Sequence, residues 1–176
     1  MKVLMVGVDE KRVGGMWEIA KKYLLSETFC KKTDLRYIAT ATEGSVLHRG
    51  FFMLKRLWTI RQVLDLDNPD IVHIHMAEKG SVFRKGMVLK MAKRRGCKVI
   101  LHLHAGPFVS WYHTLSPSIR GYVLGILRGA DLIITLGKYW EQELKTILPS
   151  ASVTYLYNGV EVPERNWYDL NAKYIV

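Results

Sequence analysis

The chain has 176 residues, of which 49% are hydrophobic and 24% charged, a globular composition that excludes wholesale disorder. Two cysteines are too few for a disulfide scaffold, and no run of about 18 apolar residues is present to form a membrane-spanning helix. Residues 79–130 contain ten basic and no acidic side chains, which accounts for the net charge of +10 and favours an anionic partner.

Short apolar runs alternate with amphipathic stretches along the chain. Strands are predicted at residues 3–8, 35–40, 71–75, 99–104, 132–136 and 153–157. Helices are predicted at residues 16–26, 51–66, 81–95, 118–128 and 138–148. This alternation is typical of βαβ units. It therefore predicts an α/β fold with a doubly wound, mostly parallel sheet of about seven strands and helices on both faces.

The loop after the first predicted strand contains the pair Gly14-Gly15. Two glycines before a helix let a ligand approach the backbone where free N–H groups favour phosphate, although they are equally consistent with a plain tight turn. Glu43 follows the second strand, where a dinucleotide-binding fold would place its ribose carboxylate. Because the GxGxxG fingerprint is absent, a nucleotide-dependent oxidoreductase is the weaker interpretation.

Two HxH pairs, His73 with His75 and His102 with His104, lie on consecutive predicted strands. Residues two apart share a face of a strand, so adjacent parallel strands would bring the four imidazoles together. Imidazoles suit zinc or iron, but no acidic residue lies within either pair and no cysteine is near, so no metal is predicted. We expect His73 and His102 to be hydrogen-bonded core histidines. His75 and His104 end their strands at the edge where ligands bind, and His104 is the leading candidate for a functional residue.

Five short segments stand out in chain order: residues 14–15 (GG), 69–75 (PDIVHIH), 98–106 (KVILHLHAG), 130–135 (ADLIIT) and 158–160 (NGV). In this order they resemble the N-terminal domain of GT-B glycosyltransferases, specifically the retaining group of family four. The resemblance spans about residues 1–165 and implies a Rossmann-like domain. One departure is Thr135-Leu136-Gly137, where the family often has Thr-x-Ser and hence one more hydroxyl.

The resemblance implies roles for the matched positions. Gly14 and Gly15 would border the donor diphosphate, and His104 would lie beside the reacting carbon as the catalytic residue. The acceptor side would be formed by His75, Glu78, Lys79 and Ser81. The implied partners are a nucleotide-sugar donor and a glycan or lipid-linked acceptor in bacterial-type polysaccharide synthesis. No metal or other cofactor is implied.

The same resemblance predicts the domain organisation. Residues 1–160 would form the Rossmann-like acceptor-binding domain, and residues 161–176 a linker and the start of a C-terminal donor-binding domain. The family's Glu-x7-Glu pair belongs to that second domain. We therefore expect a hexosyltransferase-type enzyme of which this chain is an inactive fragment.

Residues 51–61 (FFMLKRLWTIR) carry more apolar side chains than the single stripe that a buried helix needs. Basic residues are interleaved with them, and no acidic residue lies between Glu43 and Asp65. This pattern predicts docking on an anionic membrane. The contacts would be Lys55, Arg56, Trp58 and Arg61. The alternative is that the aromatic residues belong to the core. We expect a cytoplasmic protein, attached peripherally to the inner face of the plasma membrane.

The basic region at 79–130 also permits a different class of function, a basic nucleic-acid or anion-binding module. Its aromatic residues form no known nucleic-acid-binding motif, so no nucleic-acid partner is expected.

Overall fold

The computed structural model of the protein describes residues 1–10, 15–104 and 106–159. The strands are β1 (Lys2–Gly7), β2 (Asp34–Ala39), β3 (Ile71–Met76), β4 (Lys98–Leu103), β5 (Leu132–Thr135) and β6 (Val153–Tyr155). They form one parallel sheet in the order β2-β1-β3-β4-β5-β6. The predicted α/β architecture is confirmed, with six strands in the described residues where about seven were predicted. The predicted linker at 161–176 lies outside the described residues.

Seven helices connect and cover the strands in the described part of the chain. They are α1 (Gly15–Leu25), α2 (Glu27–Lys32), α3 (Val46–Leu66), α4 (Gly80–Lys93), α5 (Phe108–His113), α6 (Pro117–Arg128) and α7 (Lys138–Ile147). The central strands read as apolar runs because both of their faces are covered. Leu4, Val72, Ile74 and Leu101 are each no more than 1% exposed.

Helix α3 begins five residues earlier than predicted. The Ser45 side chain accepts a hydrogen bond from the backbone N–H of His48 at 3.3 Å, which satisfies one of the free donors at the helix start. The helix ends before Asn68-Pro69, as predicted, and Asn68 adopts a positive φ of 43° in the turn. The additional turn places residues 46–50 beside the ends of the strands.

Helices α2 and α5 were not predicted. Each has six residues, which is too short for a helical hydrophobic period to appear in the sequence. The N-cap of α2 is Ser26, whose hydroxyl accepts the Phe29 N–H. Short helices of this kind depend on capping and on tertiary packing.

Helix α4 packs closely against α6 at Gly86. A Cβ atom on Gly86 would lie 2.4 Å from Cδ1 of Ile126, so a larger residue would require the Ile126 side chain to move. The packing fixes α4 on the sheet, and its N-terminus, at Gly80, therefore lies at the carboxyl-terminal edge.

Ion pairs and backbone hydrogen bonds hold the opposite, amino-terminal edge. The Asp131 carboxylate accepts the Val99 N–H at 2.8 Å, Lys93 Nζ at 2.8 Å and Lys98 Nζ at 3.3 Å. Burial alone would raise the pKa of Asp131, but these donors lower it to about 2. Asp131, part of one of the five segments that resemble the family, therefore serves the fold.

Candidate functional site

A cavity of about 740 Å³ opens at the carboxyl-terminal edge of the sheet. Its walls come from the start of α1, the loop after β2, one face of α3, the loop between β3 and α4, and the ends of β4 and β5. The residues that line it include Gly15, Arg49, Met53, Glu78, Lys79, Ser81, Arg84 and His104. In parallel α/β sheets this edge is where ligands bind.

Five of the seven residues predicted for catalysis, donor binding and acceptor binding meet at this cavity. Gly15, Glu78, Lys79, Ser81 and His104 all line it. Gly14 lies outside the described residues. His75 does not line the cavity: its side chain is fully buried, behind His104.

The loop between β3 and α4 is held in an unusual conformation. Lys79, the N-cap of α4, has φ 60° and ψ −133°, a region that side-chain-bearing residues rarely adopt. The Ser81 hydroxyl accepts the Ala77 N–H at 3.1 Å, which ties the end of β3 to the first turn of α4. Ser81 therefore shapes the loop, and the exposed Lys79 and half-buried Glu78 present the charged groups.

Gly15 begins α1 at the cavity wall. Among the described residues, and apart from its chain neighbours and the backbone of its own helix, no atom lies within 4 Å of the position that a Cβ on Gly15 would occupy. The space beside this backbone is therefore open to a ligand at the N-terminus of a helix, where N–H groups favour anions.

Four imidazoles form a row on one face of β3 and β4, as the two HxH pairs predicted. Strand register pairs His75 with His102. Ring centroids are 4.6 Å apart for His73 and His75, 5.2 Å for His75 and His102, and 4.2 Å for His102 and His104. A hydrogen bond of 2.8 Å joins Nδ1 of His75 and Nε2 of His104. The row ends at the cavity with His104.

Burial keeps the histidines neutral. It lowers the pKa of His73 to about 3, of His102 to about 4 and of His104 to about 2, and it holds the pKa of His75 far below its usual range. Neighbouring rings and the Lys85 ammonium act in the same direction on His75 and His104. At pH 7 His104 is therefore a neutral imidazole that can donate or accept a hydrogen bond.

The expectation of hydrogen-bonded core histidines was half wrong. His73 and His102 are buried, but neither ring nitrogen of His102 has a hydrogen-bond partner in the described part of the chain, and Nε2 of His73 has none. Ring stacking takes the place of hydrogen bonding, because the face is filled by other imidazoles and by Tyr23 of α1.

The imidazole row is also the place where a metal ion would be sought. Ring nitrogens of His73, His75 and His102 lie within 4.8 Å of one another, and no carboxylate or thiolate joins that group among the described residues. The Lys85 ammonium beside His75 would also repel a cation. The arrangement does not suit a metal ion.

Lys85 is a buried residue next to the site that was not predicted from the sequence. It was counted with the basic region, but its side chain is 0% exposed. Its Nζ donates to the backbone carbonyl of His75 and lies 3.5 Å from Sδ of Met16. The helical spacing indicates this burial, because Lys85 lies on the same face of α4 as Val82 and Leu89, which are buried.

The cavity carries a positive charge excess. Arg49, Lys79 and Arg84 line it together with one acidic residue, Glu78. Basic side chains in a concave site attract anionic groups such as phosphate. The charge of the central region is thus partly directed at the candidate site.

The outward face of α3 exposes an apolar stripe, defined by Leu47, Phe51, Leu54 and Trp58, which are 86%, 72%, 63% and 62% exposed. Their spacing places them on one side of the helix, opposite the buried Ile60. The alternative that these aromatics fill the core is therefore wrong for Phe51 and Trp58.

The basic residues of α3 are divided between its faces. Lys55 and Arg61 are exposed near the apolar stripe. Arg56 is half-buried, and its guanidinium lies 4.9 Å from the centre of the Phe52 ring. Of the four predicted membrane contacts, Arg56 is the one with the least access to a flat surface.

Comparison with protein families agrees with these features. The model of the glycosyl transferase 4-like domain matches residues 28–159, three quarters of the chain. A search of the curated proteins found no match. Among the described residues, none of the helices combines the length and apolarity needed to cross a bilayer.

Proposed function

Because the chain belongs to the family of glycosyl transferase 4-like domains, we propose that it is the acceptor-binding half of a retaining glycosyltransferase in bacterial-type polysaccharide synthesis. The observation that carries this proposal is the placement of His104 at the wall of a basic cavity at the carboxyl-terminal sheet edge. The matched family supports a sugar donor and an acceptor as its substrates.

The donor in this proposal is a nucleotide sugar of the hexosyl type. Its diphosphate would approach the open backbone at Gly15, and a second, donor-binding domain would supply the remaining contacts. Residues 1–176 alone are then expected to transfer no sugar. Stabilising the departing diphosphate requires donors on both sides, and a single wall leaves the reacting centre in water.

The acceptor would occupy the part of the cavity between α3 and the β3–α4 loop. Glu78 and Lys79 would contact its polar groups, while Ser81 holds the loop in place. His104 would touch the reacting centre and stabilise it by hydrogen bonding as a neutral imidazole. His75 would act on the acceptor side through His104, since it is buried.

Helix α3 favours a lipid-linked acceptor. One of its faces, including Arg49 and Met53, lines the cavity, and its outward face carries the exposed apolar stripe. A helix whose aromatic side chains enter the headgroup region, with Lys55 and Arg61 against lipid phosphate, would hold the cavity next to the membrane. The protein would then be cytoplasmic and peripheral on the inner face of the plasma membrane.

Sugar transfer is the direct test of the enzyme proposal. The chain alone, and the chain joined to its donor-binding domain, are incubated with labelled UDP- and GDP-sugars and a bacterial lipid extract. We expect a labelled lipid or glycan product only from the joined protein. Turnover by the chain alone would contradict the two-domain requirement. Salt-sensitive binding of duplex DNA or RNA without any transfer would instead favour the anion-binding module.

Liposome sedimentation tests the membrane contact separately. The chain should bind vesicles that contain 30% phosphatidylglycerol and should dissociate from them as the salt concentration is raised. It should not bind vesicles of pure phosphatidylcholine. Lys55→Glu/Arg61→Glu should abolish binding, whereas the matched control Lys21→Glu/Lys32→Glu, which changes two exposed lysines elsewhere, should retain it. Binding that is indifferent to lipid charge, or equally lost in both double variants, would contradict a role for α3.

A further inference from the structure

His75 connects the cavity to the interior of the protein. Its Nδ1 lies 2.8 Å from Nε2 of His104, which lines the cavity. On the other side, its backbone carbonyl accepts a hydrogen bond from the buried Lys85 ammonium. Lys85, His75 and His104 therefore form a continuous series of contacts from helix α4 to the cavity wall.

We propose that His75 and Lys85 are positioning residues for His104: Lys85 fixes the end of β3, and the His75 ring fixes His104 as the tautomer with its proton on Nδ1. The proposal rests on the proposed function only for what His104 then does to a sugar substrate. The arrangement of the protons is a property of the chain itself.

The tautomer follows from the buried nitrogens. A hydrogen bond between two neutral imidazoles has one donor, so either His75 Nδ1–H donates to His104 Nε2 or the reverse holds. Nε2 of His75 is buried without a hydrogen-bond partner among the described residues. If His75 accepted at Nδ1, its proton would lie on that Nε2 as a buried donor with no acceptor. Orphaned buried N–H groups are rarer than unsatisfied lone pairs, so His75 donates from Nδ1.

Packing keeps the His75 ring in this orientation. The ring lies between His73 and His104, with centroid distances of 4.6 and 4.9 Å, and the Tyr23 ring of α1 packs edge-on at 6.1 Å. The His75 side chain is 0% exposed, so its rotation would require these neighbours to move. The donor at Nδ1 is therefore fixed in direction as well as in protonation.

The consequence for His104 is a defined role. Its Nε2 is occupied by His75, which leaves Nδ1–H as the ring group available to a ligand. A neutral imidazole held in this tautomer donates a hydrogen bond to an oxygen atom and cannot accept a proton at Nδ1. In the proposed enzyme His104 thus stabilises developing negative charge on a substrate oxygen and is not a general base.

Histidine ring NMR tests the proposal without any substrate. Two-bond ¹H–¹⁵N spectra of the ¹⁵N-labelled chain at pH 7 distinguish the two neutral tautomers of each imidazole. We expect His75 and His104 both to be protonated on Nδ1. A wild-type His104 protonated on Nε2 would overturn the proposal, and this outcome requires no variant to fold.

Two matched variants separate positioning from general packing. His75→Phe removes the donor but keeps a ring, and it should release His104 to a mixture rich in the Nε2–H form. His73→Phe makes the same substitution at the neighbouring histidine of the row and should leave the proton of His104 on Nδ1. Lys85→Met, which removes the contact to the His75 carbonyl, should shift His104 in the same direction as His75→Phe. The assignment would be contradicted if the His104 tautomer is unchanged in His75→Phe, or if it shifts in the same way in His73→Phe. Absence of sugar transfer with the expected tautomers would contradict the proposed function alone.

Discussion

At the amino-terminal edge of the sheet, Asp131 accepts hydrogen bonds from one backbone N–H and two lysines. Near the other edge, both ring nitrogens of His102 are buried and have no hydrogen-bond partner among the residues that the structure describes. The first arrangement satisfies a charge and ties β4 to β5. The second leaves polar atoms unsatisfied, which lowers stability. The amino-terminal edge therefore stabilises the fold, and the unsatisfied nitrogens near the carboxyl-terminal edge agree with the proposed ligand site there.

The two edges should lose their contributions to stability in different pH windows. The four row histidines have folded pKa values below 6.5, so the unfolded chain binds more protons below that pH and stability falls as pH falls. At pH 5 each histidine has lowered the free energy of unfolding by about 2 kcal/mol, and all four together by about 8 kcal/mol. This decrease is comparable to the stability of a whole domain. Urea denaturation from pH 8 to 5 should show this steep decline. A flat profile above pH 5 would contradict buried neutral histidines.

Removing one unpartnered histidine sharpens the same comparison. His102→Phe replaces two orphaned nitrogens with an apolar ring, so it should raise the free energy of unfolding at pH 5 by about 2 kcal/mol relative to the wild type. The control is His113→Phe, which makes the same substitution at an exposed histidine of α5 that lies outside the row. If the two variants behave alike, the slope does not arise from the histidine row.

The smallest expected effect lies at the amino-terminal edge. Asp131→Asn weakens the hydrogen bonds to Val99 and the two lysines, and should lower the free energy of unfolding by about 1 kcal/mol at pH 7. Asp131 has a folded pKa near 2, so its contribution is lost only as pH falls below about 3.8. The difference between the variant and the wild type should therefore stay constant from pH 8 to pH 6, where the Asp131 carboxylate is ionised in both the folded and the unfolded chain. A difference that changes within this window would contradict the ionic origin.

The sheet and the long helices were predictable because their sequence patterns are local. Five helix positions and six strand positions follow from apolar runs and helical spacing, and only the short α2 and α5 lacked such a pattern. The juxtaposition of the histidines followed from the period of two along neighbouring strands.

The depth of each site residue was not predictable in the same way. Whether His75 or His104 reaches the cavity depends on how far α1, through Tyr23, covers the ends of the strands. The role of Lys85 was missed because charge was summed along the chain, although the residue lies on the buried stripe of α4. The part of α3 that lines the cavity includes the additional first turn capped by Ser45, and this turn was not predicted.

The rate of sugar transfer in two variants tests the division between the edges most directly. In a protein that joins this domain to the proposed donor-binding domain, His104→Ala should lower kcat by at least about 100-fold, since one contact to the transition state is lost. Asp131→Asn, measured at 25 °C where both proteins are folded, should change kcat less than about threefold, because a modest loss of stability leaves the folded fraction near one. Full activity in His104→Ala, or a larger loss in Asp131→Asn, would contradict the placement of the active site at the carboxyl-terminal edge.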